Sequence, residues 1–132
     1  GHATIGRRAI LSGNVVVHQF CWVGEMVMSQ GLAGTSMHVP PYCLFTSINS
    51  VASLNVVGLR RARHLTDADR EQIKDAFRLL YRADLTPAEA LAEMDQHADW
   101  GEPAGKFRDF VRRVLEAKAP YNRGLAPFGR NR

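Results

Sequence analysis

Cysteine is scarce in this chain, with only Cys21 and Cys43 among 132 residues. With no secretory leader pattern at its start, free buried thiols rather than a disulfide, and a reducing, cytoplasmic setting, are expected. Long apolar runs are missing too: none approaches the roughly 18 residues that a membrane helix needs, so no stable membrane insertion is expected. Aromatics make up only 8% of the residues. There is no stacking platform, recognisable nucleic-acid motif or arginine-rich groove helix, which argues against nucleic acid as a partner. With 45% hydrophobic and 23% charged residues, disordered and collagen-like readings drop out. Acidic residues are outnumbered by basic ones, giving a formal charge of +4 and a pI near 9.5. That balance favours anionic partners, whether phosphorylated ligands, an acidic protein or nucleic acid, and charge alone does not choose among them.

What the chain does have is a repeat over residues 3–40. Cut into sixes it reads ATIGRR, AILSGN, VVVHQF, CWVGEM, VMSQGL and AGTSMH, followed by VPP. The first place holds Ala3, Ala9, Val15, Cys21, Val27, Ala33 and Val39, all small and apolar. The third place holds Ile5, Leu11, Val17 and Val23, then fades to Ser29 and Thr35. A period of six fits neither a helix at 3.6 nor an ordinary strand at 2. It fits a chain wound round a triangular prism, one six per face and eighteen residues per coil, with the third place pointing inward. The competing arrangement is a small sheet of short alternating strands, in which seven small apolar residues would have no reason to stay in phase.

Val39-Pro40-Pro41-Tyr42 ends regular pairing and fixes an extended exit. Residues 43–58 are β-prone and poor in charge, read as a last partial coil with an irregular loop. A basic knot of Arg60, Arg61, Arg63 and His64 follows, and the composition then turns helical. Thr66, with Asp67 and Asp69 behind it, starts a helix to about residue 83. Thr86-Pro87-Ala88-Glu89 is a capping box that opens a second, ending near Gly101. A third is expected over residues 103–118, and the tail from Ala119 is expected to be loose. The boundary falls at 58, giving solenoid coils over 1–58 and a three-helix domain with a basic tail over 59–132.

The informative polar residues are Gly1-His2 and His18-Gln19. At eighteen residues per coil, position 20 lies over position 2, so His18 stands two residues short of His2 along one edge. Two such histidines can bind an anion, orient a nucleophile or ligate a metal, or simply be structural. No third ligand falls at a comparable phase, which argues against zinc, and no cofactor is expected. Arg60 and Arg61 have little acid beside them; as planar donors they suit phosphate, unless they are a solvated turn.

Taken in order, Gly1-His2, VHQFC at 17–21, VPPY at 39–42, Asn55, Gly58-Leu59-Arg60-Arg61 and AFRLLYR at 76–82 resemble one family. It is the UDP-N-acetylglucosamine O-acyltransferase family that begins lipid A synthesis, matched in its C-terminal half over residues 1–114. The resemblance implies the final coils of a left-handed parallel β-helix, a hexapeptide-repeat solenoid, followed by an α-helical C-terminal domain, assembled as a homotrimer. It implies transfer of an acyl or 3-hydroxyacyl chain from acyl carrier protein to the 3-hydroxyl of UDP-N-acetylglucosamine. By position, the Gly1 N–H would stabilise the oxyanion. His2, His18 and Gln19 would line the sugar-nucleotide pocket. Asn55, Arg60 and Arg61 would contact nucleotide, phosphates or phosphopantetheine. Gly31, with Met28 nearby, falls where bulk limits acyl length. The basic knot suits an acidic carrier protein.

Three departures stand out. The family's general base is a histidine one coil upstream in a His-x-x-His stretch, and this chain starts after it. A sugar hydroxyl that lacks a positioned base forfeits roughly 10²–10⁴ in rate. Val57 stands where the family often carries an acid, and Ser47-Ile48-Asn49-Ser50 lacks the usual loop histidine. Two-odd coils are also fewer than a solenoid normally needs, so an N-terminal part, or a covering chain over Ala3, Ile5 and Ala9, is expected. Rival readings are the N-acylating relative, an O-acyltransferase on another nucleotide sugar, and a module that binds carrier protein or sugar nucleotide without turnover.

Overall fold

In a computed structural model, which describes residues 1–129, the sixes of the sequence become the three faces of a prism. The first lap supplies β1 (Thr4–Ile5), β2 (Ile10–Leu11) and β3 (Val16–Val17). The second supplies β4 (Trp22–Val23), β5 (Met28–Ser29) and β6 (Gly34–Thr35). Every pairing between the laps is parallel and eighteen residues apart: Thr4 with Trp22, Ile10 with Met28, Val16 with Gly34. The coil length expected from the repeat is therefore the observed one.

The corners carry the strain. His2, Arg8, Asn14, Phe20, Met26 and Leu32 all have φ between 57° and 66°, one every six residues as far as residue 32. Such conformations cost about 1–3 kcal/mol each, and only Asn14 is of a type that eases them. Bonds between laps hold three of these corners: Phe20 N–H to His2 O (2.8 Å), Met26 N–H to Arg7 O (2.8 Å) and Leu32 N–H to Gly13 O (3.1 Å). One corner also needs glycine for space. A Cβ on Gly6 would lie 2.6 Å from Glu25 N, and one on Gly24 would lie 2.4 Å from Pro41 N.

Inside, the first-place residues Cys21, Val27, Ala33 and Val39 are buried, as is third-place Val23. The fading of the third place to Ser29 and Thr35 does not open the prism, because both are buried and hydrogen-bonded. Ser12 N–H donates to Ser29 Oγ at 3.0 Å, and Thr35 Oγ1 donates to Met37 O at 2.7 Å. Cys21 and Cys43 are buried free thiols, as expected, and burial raises both pKa values.

The third lap departs from the period. β7 (Cys43–Thr46) pairs with β5 at a spacing of sixteen, Met28 with Leu44, then reverses into antiparallel β8 (Ser50–Leu54). The irregular loop expected over 43–58 is thus an ordered hairpin followed by a short helix, α1 (Val56–Arg61). The line drawn at residue 58 runs through that helix. Asn55 caps α1: its Oδ1 accepts from Gly58 N–H at 3.0 Å, and its Nδ2 donates to Met26 O on the second lap at 3.0 Å. Six residues give no apolar stripe, so only the asparagine could have marked this helix.

The other three helices lie where their caps put them: α2 (Asp67–Tyr81), α3 (Pro87–Met94) and α4 (Glu102–Glu116). Thr66–Asp69 and Thr86–Glu89 both form complete capping boxes. α3 is shorter than expected, because hydrogen-bonded turns take over through Trp100. The core runs unbroken from the prism into the helices, through Tyr42, Phe45, Leu59, Ile73, Phe77 and Phe107. Tyr42 Oη, from the proline exit, donates to Pro103 O on α4 at 2.8 Å.

The tail is not loose. His38 N–H donates to Gly124 O and Ala126 N–H donates to His38 O, each at 2.8 Å. Further along, Val51 N–H donates to Pro127 O at 2.9 Å and Gly129 N–H to Val51 O at 2.8 Å. Tyr81 Oη donates to Ala126 O at 2.8 Å, and Ala126 is buried. Prolines and glycines do not prevent docking where a neighbouring edge offers backbone partners. The end of the expected loose segment, residues 130–132, lies outside the described residues.

Candidate nucleotide-sugar site

Gly1 and His2 begin the edge that Phe20 completes one lap later. All the polar side chains of this edge, those of His2, His18 and Gln19, are exposed. The residue stacked on His2 is Phe20, with ring centroids 5.1 Å apart and planes 22° apart. His18 instead donates its backbone N–H to Thr35 O at 2.9 Å. A cap of aromatic surface on an exposed imidazole leaves its nitrogens to solvent or ligand.

The second cluster is built by α1. Because adjacent helical residues point about 100° apart, Arg60 and Arg61 serve different hollows. Arg61 lines one of about 300 Å³ with Arg8, Ile10, Asn55, Arg63 and His64. No acidic side chain lines it, and among the described residues Arg8, Arg61 and Arg63 enter no ion pair. Arg60 lines a hollow of about 370 Å³ with Leu54, Val56, Leu59 and Lys74. There Arg70 is already committed, donating to Leu59 O and Ala62 O and pairing with Asp67. The expected pair of arginines is therefore split by the helix. Asn55 lies at the floor of the first hollow, with its amide spent on capping α1 and tying it to Met26 O. It thereby fixes the start of α1, the helix that carries Arg61.

Met28 sits on β5 between Ile10 and Leu44, giving a ladder of apolar side chains on the outer face. Gly31 is exposed, and a Cβ there would meet only Gly13 O at 3.6 Å, an ordinary contact. Neither its φ nor the protein's packing requires glycine at 31. Among the described residues no group of three His, Cys, Asp or Glu side chains could hold a metal. No described helix is long and apolar enough to cross a membrane.

One cluster escaped sequence reading. His38 is buried, takes the Trp22 N–H on Nδ1 at 2.9 Å and faces Tyr121 O from Nε2 at 2.7 Å. The Trp22 bond makes Nδ1 the acceptor, so Nε2 carries the proton and donates. Its ring stacks on Trp22 at 4.3 Å, and the Arg113 guanidinium lies 3.7 Å from the Trp22 centroid. Burial holds the His38 pKa below its ordinary value; the Tyr121 carbonyl opposes that shift, while Arg113 and Arg123 add to it. The partners come from residues 22, 113 and 121, so no local spacing announces them.

Comparison with known proteins fits this geometry. A family model described as UDP N-acetylglucosamine O-acyltransferase, domain 2, matches residues 38–125. An acyl-[acyl-carrier-protein]–UDP-N-acetylglucosamine O-acyltransferase from Gloeothece citriformis is 38% identical over 112 residues, 84% of this chain and 40% of that protein. One of the same name from Anaeromyxobacter is 33% identical over 102 residues, 76% of this chain and 39% of that protein. The solved UDP-N-acetylglucosamine acyltransferase of Francisella novicida aligns at a TM-score of 0.77 and 32% identity, over 96% of this chain and 44% of that one. That of Campylobacter jejuni aligns at 0.78 and 29%, over 98% and 47%. The fold is accordingly the left-handed parallel β-helix with a helical C-terminal domain that the resemblance implied. The chain spans about two-fifths of the length of the curated relatives it matches. It belongs to the UDP-N-acetylglucosamine O-acyltransferase family.

Proposed function

We propose that this chain forms the final coils and helical domain of an O-acyltransferase that moves a 3-hydroxyacyl group from acyl carrier protein to the 3-hydroxyl of UDP-N-acetylglucosamine. The single observation that carries the reading is the acid-free hollow beside α1, where Arg8, Arg61, Arg63 and His64 converge. Four basic side chains with no carboxylate among them attract a diphosphate. The names of the relatives supply the substrate to test.

In this reading Arg61 takes a phosphate oxygen and Asn55 positions it. His2, His18 and Gln19 hold the sugar along the neighbouring edge. The sugar oxygen attacks the thioester carbonyl, the C–S bond breaks, and the carrier's thiol leaves with the proton that the hydroxyl gave up. The Gly1 N–H faces the oxyanion formed on the way. No residue of this chain is assigned as the base. The exposed Gly31, beside the ladder of Ile10, Met28 and Leu44, leaves room for a long acyl chain. The outward apolar residues Val16 and Ile48 suit an assembly of three copies, with sites in the clefts between them. A cytoplasmic setting belongs to the same reading.

The test is a titration with UDP-N-acetylglucosamine, followed by a thiol-release assay with acylated carrier protein. Saturable binding competed by UDP is expected, and its absence contradicts the reading. Binding without thiol release favours the module that binds and does not turn over.

A further inference from the structure

The ring stacked on His2 does not stand alone. Phe20 meets the edge of Tyr121 at 5.4 Å and 81°. Tyr121 stacks on Trp22 at 5.3 Å and 13°, and Trp22 stacks on His38 at 4.3 Å and 20°. Five rings therefore run without a break from the exposed edge of the first lap to a fully buried imidazole. Two of them, Tyr121 and His38, are separated by 83 residues, so the run exists only because the tail is docked.

Each link fixes the next. His2 and Phe20 both sit on corner residues with positive φ, and a lone exposed imidazole there would turn freely about its side-chain bonds. Tyr121 limits Phe20, and Tyr121 is itself fixed twice: its ring lies on Trp22, and its carbonyl accepts from His38 Nε2–H. Backbone bonds from His38 to Gly124 and Ala126 pin the segment that follows. No hydrogen bond from the Tyr121 hydroxyl accompanies this packing among the described residues, so its contact with Phe20 is the ring's alone.

We propose that Tyr121 is a positioning residue for His2, acting through Phe20, with His38 and Trp22 as its anchor. The tail thereby sets the orientation of an imidazole at the sugar end of the site. This rests on the reading that His2 contacts the sugar of UDP-N-acetylglucosamine.

The test compares Tyr121→Leu, Tyr121→Phe, His2→Ala and Phe128→Leu by ligand titration and by the NMR signal of the His2 Cε1 proton. Tyr121→Leu is expected to weaken UDP-N-acetylglucosamine about 3- to 10-fold, the worth of an aromatic contact. It leaves UDP, which lacks the N-acetylglucosamine that His2 would meet, within about twofold, and it moves the His2 signal. Tyr121→Phe keeps the ring and behaves as the parent. Phe128→Leu, which loosens the tail at the far end against Phe77 and Tyr81, leaves the His2 signal in place. If His2→Ala weakens the sugar nucleotide while Tyr121→Leu changes neither affinity nor signal, the positioning role is overturned and the reading of His2 stands. If His2→Ala changes no affinity, the reading of His2 falls, and the positioning role, which rests on it, falls with it. Should Tyr121→Leu not fold, cross-relaxation from the Phe20 ring to both His2 and Tyr121 in the parent decides: absence of either overturns the proposal.

Discussion

The two full laps of the solenoid have the same pattern and very different burial. Second-lap Cys21, Val27 and Val23 are at most 2% exposed, whereas Ile5, the first-lap counterpart of Val23, is 43% exposed. Ala3, Ala9 and Val15 are only partly covered. Within the described residues, the second lap lies between the first and the hairpin of β7 and β8, and the first pairs with the second alone. Phase decides which residues point inward, and stacking decides whether pointing inward removes them from water. The stabilising worth of an apolar residue here is thus a property of the pair of laps, at about 25 cal/mol per Å² of surface covered.

Charge breaks this comparison most sharply. Val27→Asp places a carboxylate where exposure is nil, and a loss of about 4 kcal/mol or more is expected, enough to unfold the chain. Ala9→Asp, eighteen residues earlier and half-covered, costs much less, because water still reaches it. Urea unfolding of the two variants side by side checks this; equal losses would mean that the laps do not depend on stacking.

Bulk at the corners gives a smaller contrast. Gly24→Ala sets a methyl 2.4 Å from Pro41 N, and an overpacking cost of about 3 kcal/mol is expected. Gly31→Ala meets only an ordinary contact and stays within about 0.5 kcal/mol of the parent. Thermal melting separates them, and a neutral Gly24→Ala would contradict the close approach of Gly24 to the proline exit.

Acidification gives the smallest effect and reaches the junction between second lap and tail. Folding lowers the His38 pKa from its ordinary 6.5, so the neutral ring is the folded form. Its contribution is fully present above about 6.5 and is lost as pH falls through the lowered folded value. Protonation would put a proton on Nδ1, which accepts from Trp22, with Arg113 and Arg123 close enough to oppose the new charge. His38→Asn does not titrate, so its stability should fall less between about pH 7.5 and 5.5 than the parent's. Matching slopes would remove His38 from the account.

Much of this was legible in the residues. The small first place of each six gave the eighteen-residue lap, Thr66 and Thr86 gave two helix starts, and Arg61 marked a basic cluster. What was hidden depends on contacts across the chain. α1 is too short to show a stripe, and its cap leans on Met26 of the second lap. The split of Arg60 from Arg61 follows from that unseen helix. The tail looked loose because prolines and glycines forbid regular structure, yet its backbone pairs with His38 and Val51. Phe20, and not His18, lies over His2, as the lap length itself required.

In the proposed reading Arg61, and not its neighbour Arg60, is the phosphate ligand, because α1 turns the two into different hollows. Titrating UDP-N-acetylglucosamine into Arg61→Ala and Arg60→Ala tests it directly. The account predicts that Arg61→Ala weakens binding about tenfold or more, the loss of one charge-assisted contact, while Arg60→Ala stays within about twofold of the parent. Equal losses, or a larger one from Arg60→Ala, would contradict it.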